Sequence, residues 1–427
     1  MNTAISVRST KVLVALPALF VLLLAVNAPP YVPLQDYNEW VYQGFVAEQL
    51  LRGHLTSQFV FATFPVPNSA AQALLCLLNF VVSPLLAARV VASLYVIAAI
   101  TLAWRIAEKT SPAQQIGYFF VLLVCVYFNT PFWNGYINYQ IGILLLSAWL
   151  LLDPKTRAKP LWVLVFTLGA FFTHAAIWAA ILLTMTIDAL RRRVFTPYLP
   201  ALVSLGLFAW YVARKPASTV PEPLQQAGLL HAAGYKLYTV AKLGPYHDFL
   251  YADGASSPIE AVGHYAGCAV NFAVAAGLLC LLCLALWRAL ARPGVRAQVA
   301  DVTLAVAVLL ALFVAMPAVM ADVVNPGERM LYPAVLFALV SWSESRIVKW
   351  LAYSAPVLAL CALGLVANGA RLTSDAALAG AGPGASQHEL FASRPDEFAS
   401  VLLMSEGRLP LRAIGFETSF LFNRTQR

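Results

Sequence analysis

Two carboxylates, Asp36 and Glu39, stand three residues apart at the head of DYNEWVYQGFVAEQLLRGH (36–54). That spacing has two readings. As Asp-x-x-Glu it is a capping box, with Asp36 satisfying orphan amides and Glu39 reaching back. As paired acids it offers a general base and a metal ligand. Both can hold together, because a cap fixes a catalytic carboxylate in place. Glu328 and Arg329 open ERMLYP (328–333). Arginine forks onto phosphate oxygens; the alternative is an interfacial arginine paired with Glu328 or Asp322. His174 in FFTHAA (171–176) and Lys236 and Lys242 in KLYTVAKLGPYHDFLYADG (236–254) are further candidates for holding an anion. Their alternative is a packed histidine and a solvated loop. Tyr136 and Asn138 in FWNGYINYQ (132–140), with Tyr246 and His247, suit sugar hydroxyls and sugar faces, or else form an interfacial polar-aromatic belt.

Composition tells what kind of scaffold must position these groups. Of 427 residues, 60% are hydrophobic and 11% charged, and mean hydropathy is +0.73. A soluble domain carries about 25% charged and about 45–50% apolar residues. The gap excludes an ordinary soluble enzyme, a disordered chain and a disulfide-rich secreted domain. Long apolar runs, in place of alternating strands, exclude a β-barrel. An all-α polytopic membrane protein remains. The net charge of +8 is read as topology, since the basic clusters are short and juxtamembrane; nucleic acid is not an expected partner. No P-loop, GxGxxG, HExxH or nucleophile elbow occurs. Cys280 and Cys283 are spaced CxxC within an apolar run and read as packing residues.

The first apolar run, roughly 12–28, follows Arg8 and Lys11 and precedes Pro29 and Pro30. It reads as a retained span with its N-terminus inside. Six basic clusters favour the cytoplasm: Arg8/Lys11, Arg105/Lys109, Lys155/Arg157/Lys159, Arg191–Arg193, Arg288/Arg292/Arg296 and Arg346/Lys349. Satisfying all of them makes 69–104 cross once, with a short helix ending near Pro84. It also makes 160–190 go out and back, with a tip near Thr173–His174. About eleven transmembrane helices result. The expected organisation is a membrane domain over 1–369, with outer loops 29–68 and 214–263, and a short outer-side tail over 370–427.

Within the first outer loop, Tyr37, Trp40, Val41, Ala47, Leu50 and Leu51 form an apolar stripe at helical spacing, while Asp36, Glu39 and Gln43 fall on another face. This predicts an amphipathic helix lying on the outer membrane surface and ended by Gly53.

An N-terminal span, an outer loop opening with acids, and a helix carrying Ala47, Leu50, Leu51 and Gly53 together resemble the GT-C glycosyltransferases. That superfamily includes protein O-mannosyltransferases, lipid A aminoarabinose transferases and the bacterial RgtA/B/C/D-like group. The resemblance continues through FPVPN (64–68), a span beginning at Arg89, FFTHAA and ERMLYP. It covers roughly 10–345 as architecture. The acids are often adjacent in the family, whereas Tyr37 and Asn38 intervene here.

The resemblance implies a GT-C-like bundle with outer-face juxtamembrane helices. It also implies transfer of a sugar from a polyprenyl-phosphate donor to an outer-face glycan, lipid or envelope acceptor. Asp36 would be the base and Glu39 a metal or acceptor partner. Arg329 would hold the donor phosphate, with His174, Lys236 and Lys242 in support. A divalent metal, Mg or Mn, is used by some relatives. The expected location is the inner membrane, with many spans and the site on the periplasmic face. Two rival functions are a polysaccharide polymerase or ligase of O-antigen type, and a non-enzymatic lipid or glycan transporter.

Overall fold

A computed structural model describes residues 2–29, 31–34, 36–215, 228–245, 258–291, 297–317, 319–320, 323–378, 414 and 420–424. The first half contains α1 (Asn2–Asn27), α2 (Tyr37–Leu51), β1 (Phe59–Phe61), α3 (Ala70–Asn79), α4 (Pro84–Thr110), α5 (Gln115–Leu122), α6 (Thr130–Trp133), α7 (Ile137–Leu151) and α8 (Pro154–Arg157). The second half contains α9 (Pro160–Thr173), α10 (Ala175–Arg192), α11 (Ala201–Arg214), α12 (Leu229–Ala241), α13 (Pro258–Ala291), α14 (Ala297–Ala315), β2 (Val319–Met320), β3 (Val323–Val324), α15 (Glu328–Ser341), α16 (Arg346–Leu378) and β4 (Leu421–Asn423).

Three helical stretches are long and apolar enough to cross a membrane: Pro84–Thr110, Tyr265–Trp287 and Arg346–Gly364. Several shorter apolar helices, among them Ile137–Leu151 and Pro160–Thr173, accompany them. Their outward faces are apolar as well. Leu94, Trp287, Tyr353 and Leu360 are exposed, an arrangement that lipid stabilises and water does not.

Helix boundaries follow local chemistry. Pro84 sits at the first turn of α4, and the Ser83 hydroxyl accepts from Leu86 N. α9 and α10 meet at His174, which ends one helix and caps the next. The expected out-and-back turn thus falls where charge placed it. After α5 the backbone widens into a π-helical segment, Leu123–Tyr127. Its last carbonyl, on Tyr127, lies 2.6 Å from the Tyr95 hydroxyl. The Tyr127 hydroxyl in turn donates to Ser147 Oγ at 2.8 Å.

Two expectations are corrected. α2 does not lie on a surface with its polar face outward: Glu39, Gln43 and Glu48 are buried, whereas Leu51 is exposed. Internal partners make this possible. Gln43 Nε2 donates to Glu39 Oε1 at 3.0 Å, Gln72 Nε2 reaches Gln43 Oε1 at 3.4 Å, and Asn138 Nδ2 donates to Gln72 Oε1 at 2.7 Å. This amide ladder joins α2, α3 and α7, so the polar face is buried with its groups paired. Second, Cys280 and Cys283 are exposed on α13 and do not pack inside; all six cysteines are free thiols.

α16 extends to Leu378, eight residues past the expected membrane-domain boundary. A described part of the tail returns to the first loop: β4 pairs antiparallel with β1, Val60 opposite Phe422. Phe61 and Phe420 stack beside the ladder, centroids 6.0 Å apart.

Candidate functional site

Asp36 occupies the N-cap position of α2, but its side chain makes no capping hydrogen bond there. The capping box is therefore not formed, and Glu39 is engaged by Gln43. Asp36 is instead fixed through its backbone, whose N–H donates to Asn134 O at 2.9 Å. Trp40 Nε1 donates to the next carbonyl, Gly135 O, at 3.1 Å. Gly135 adopts φ +79°, and a Cβ there would lie 2.5 Å from Tyr37 N and 2.7 Å from Asp36 N. The loop between α6 and α7 thus cradles the start of α2 where only glycine fits. The Asn-Gly pair in FWNGYINYQ was the sequence signal for this turn.

The same loop carries Tyr136, over whose ring the Arg329 guanidinium sits at 4.9 Å. Tyr136 experiences the charges of Arg329, Asp36 and Glu328, and burial pushes its hydroxyl above the ordinary tyrosine value. Arg329 lies at the start of α15, where its Nη1 donates to Asn325 O at 3.3 Å. Its own carbonyl accepts from the Tyr139 hydroxyl at 3.0 Å. Tyr139 presents its ring edge-on to His174, centroids 4.9 Å apart. Asp36, Tyr136, Tyr139, His174, Glu328 and Arg329 therefore converge, although they are spread over almost 300 positions of chain.

His174, in the turn between α9 and α10, accepts from Ala176 N through Nδ1 at 3.1 Å. That contact assigns the lone pair to Nδ1 and the proton to Nε2. Burial, then the Arg329 charge, hold the imidazole well below its ordinary pKa. His174 is thus a neutral N–H donor and not a cation.

The lysines divide. Lys242 Nζ lies 3.3 Å from Glu328 Oε1, both side chains nearly inaccessible. This buried pair joins the end of α12 to the start of α15. Thr130 Oγ1, 2.8 Å from Gly244 O and 3.1 Å from Lys242 O, anchors the same segment to α6. Lys236 instead caps α14, donating to Phe313 O at 2.6 Å and Met316 O at 2.8 Å. Asn138 is likewise structural: its Oδ1 accepts from Ala71 N at 2.7 Å and its Nδ2 donates to Asn68 O at 2.8 Å. Arg89 Nη2 donates to Pro29 O at 2.9 Å, tying α4 to the end of α1. Tyr246, His247 and Asp322 lie outside the described residues.

Asp36 and Glu39 do not make a metal-binding set. Glu39 is 2% exposed and committed to the amide ladder, and among the described residues no three His, Cys, Asp or Glu side chains cluster.

Beside the polar cluster runs an apolar groove of about 430 Å³. α1 and α16 form two of its walls, each through a helix-interior proline, Pro17 and Pro356. Phe128, Trp133 and Pro245 also line it. Trp133 adjoins Asn134, which holds Asp36, and Pro245 adjoins the anchored Gly244.

Fold and site together define a multi-helix protein with three candidate membrane-crossing helices and a polar cluster beside an apolar groove. Comparison of the chain with protein-family models, curated proteins and solved structures finds no match.

Proposed function

We propose that this protein is a membrane glycosyltransferase of GT-C type, with about eleven spans and its site on the outer face. It moves a sugar from a polyprenyl-phosphate donor to a glycan, lipid or envelope acceptor. The observation that carries this reading is the convergence of Asp36 and Arg329 on Tyr136, beside a groove with an almost wholly apolar lining. A lipid-borne phosphate ester needs both surroundings, one for its tail and one for its charge.

In this reaction the Asp36 carboxylate takes the proton of an acceptor hydroxyl. The acceptor oxygen attacks the anomeric carbon, and the sugar–phosphate C–O bond breaks on the opposite face. The bonding pair leaves with the phosphate, where Arg329 meets the growing negative charge. Neutral His174 offers an N–H and no charge. The Lys242–Glu328 pair holds the Arg329 end of α15 in place. Glu39 positions α2 through the amide ladder and takes no proton.

The test uses membranes containing the full chain and a radiolabelled polyprenyl-phosphate hexose. Asp36→Asn and Arg329→Gln are expected to leave the protein folded and to lower movement of label out of the lipid pool by about 10²-fold or more. Transfer at the unmodified rate in both variants sinks the proposal.

A further inference from the structure

The end of the α9–α10 hairpin opposite His174 carries six cations, Lys155, Arg157, Lys159, Arg191, Arg192 and Arg193, against two acids, Asp153 and Asp188. Neither acid is idle. Asp153 caps α8 by accepting from Thr156 N at 2.9 Å. Asp188 accepts from Arg192 Nε at 2.7 Å and from the Tyr198 hydroxyl. Positive charge therefore exceeds what the hairpin end itself supplies in compensation.

Two cations are held in ways that topology alone does not require. Arg157 is partly buried, its guanidinium 5.9 Å from the centre of the Trp149 ring, and its Nε has no hydrogen-bond partner. It also senses the charges of Asp188 and Arg192, which places the α8 turn beside the end of α10. Arg193 ends α10 in the left-handed region, φ 54°. Glycine is the usual residue there. A cation is kept at a position where its backbone is strained.

The surface around these charges is apolar. Leu161, Trp162, Leu190, Phe195, Leu199 and Leu202 are exposed on α9, at the end of α10, in the turn that follows and on α11. A soluble anion has no use for them, whereas acyl chains do.

We propose that this end of the hairpin binds an anionic phospholipid, its phosphate on Arg157 and the Arg191–Arg193 turn and its chains on the surrounding apolar side chains. The inference rests on the membrane reading and is independent of glycosyl transfer.

The experiment uses the full chain in detergent micelles, mixed with phosphatidylglycerol or with phosphatidylcholine of the same acyl chains. Bound lipid is counted by native mass spectrometry, and thermal unfolding is recorded. Phosphatidylglycerol is expected to be retained preferentially and to raise the unfolding temperature. Preference should fall roughly fivefold for each cation removed in Arg157→Gln and Arg193→Gly. Arg193→Gly relieves the strained backbone, so its lipid-free unfolding temperature should not fall; its loss of preference then cannot be misfolding. Equal retention of both lipids overturns the proposal. So does an unchanged preference in the double variant, or displacement of the lipid by an equal concentration of inorganic phosphate.

Discussion

The Arg329 guanidinium lies over the Tyr136 ring, 4.9 Å from its centre. Tyr136 follows the two residues that hold Asp36 through backbone contacts. One short loop thus sets the spacing between an acid and a base of opposite charge.

Replacing Arg329 by lysine keeps a positive charge but loses the planar fork and its stacking. In the transfer assay Arg329→Lys is expected to lose about 10²-fold in rate. Tyr136→Leu should lose less, about tenfold, because a cation–π contact contributes roughly 1 kcal/mol. Equal rates for Arg329→Lys and the unmodified protein would remove the arginine from phosphate recognition.

Gly135→Ala puts a methyl group 2.5 Å from Tyr37 N at a φ of +79°. The start of α2 must then shift. Thermal unfolding in detergent should show a loss of about 1–3 kcal/mol, together with reduced transfer. Gly53→Ala provides the comparison. Gly53 also has a positive φ, +84°, but no atom lies within 4 Å of its Cβ position. About 1 kcal/mol and unchanged transfer are expected there. If the two variants behave alike, the cradle has no bearing on Asp36.

Gln72→Leu removes the acceptor of Asn138 Nδ2 and the donor to Gln43 Oε1. Both remaining groups are buried. Each unsatisfied group costs about 1–3 kcal/mol, so the unfolding temperature should drop clearly. A variant as stable as the parent would mean that the ladder is dispensable.

His174 gives a pH dependence with a definite sign. Its folded pKa lies well below the ordinary 6.5. Above pH 6.5 neither state binds the proton, and the full stability is present. As pH falls below 6.5 the unfolded chain takes up a proton that the folded chain does not. Stability then declines by about 1.4 kcal/mol per pH unit until the folded pKa is reached. His174→Asn keeps a capping acceptor but does not titrate. Its unfolding temperature should fall less between pH 7.5 and 5.5 than that of the parent, and parallel curves would contradict the assignment.

Helix ends were legible where local chemistry decides them. Pro84, the break at His174 and the basic end of α10 follow from proline, charge and span length. The inward turn of α2 was not legible. Its polar face reads as solvated until Gln72 and Asn138, 29 and 95 residues beyond Gln43, are brought against it. The same limit applies to the lysines. Nothing local distinguishes Lys236, which caps a helix 77 residues away, from Lys242, which pairs with Glu328. Asp36, His174 and Arg329 were chosen from local motifs and a resemblance, and their proximity is a property of the fold. Gly135 was within reach, since Asn-Gly announces a tight turn.

The π-helical segment Leu123–Tyr127 has a bearing on how this arrangement is kept in register. A widened turn accommodates one more residue than an α-helical turn would. Deleting one residue there would let the backbone rewind and rotate everything after it by about 100°. Asn129, Thr130 and Asn134 would then point elsewhere, with every side chain otherwise intact. The azimuth of the polar cluster about the bundle is therefore set by a residue count in the backbone, and a one-codon deletion would disturb it more than most substitutions.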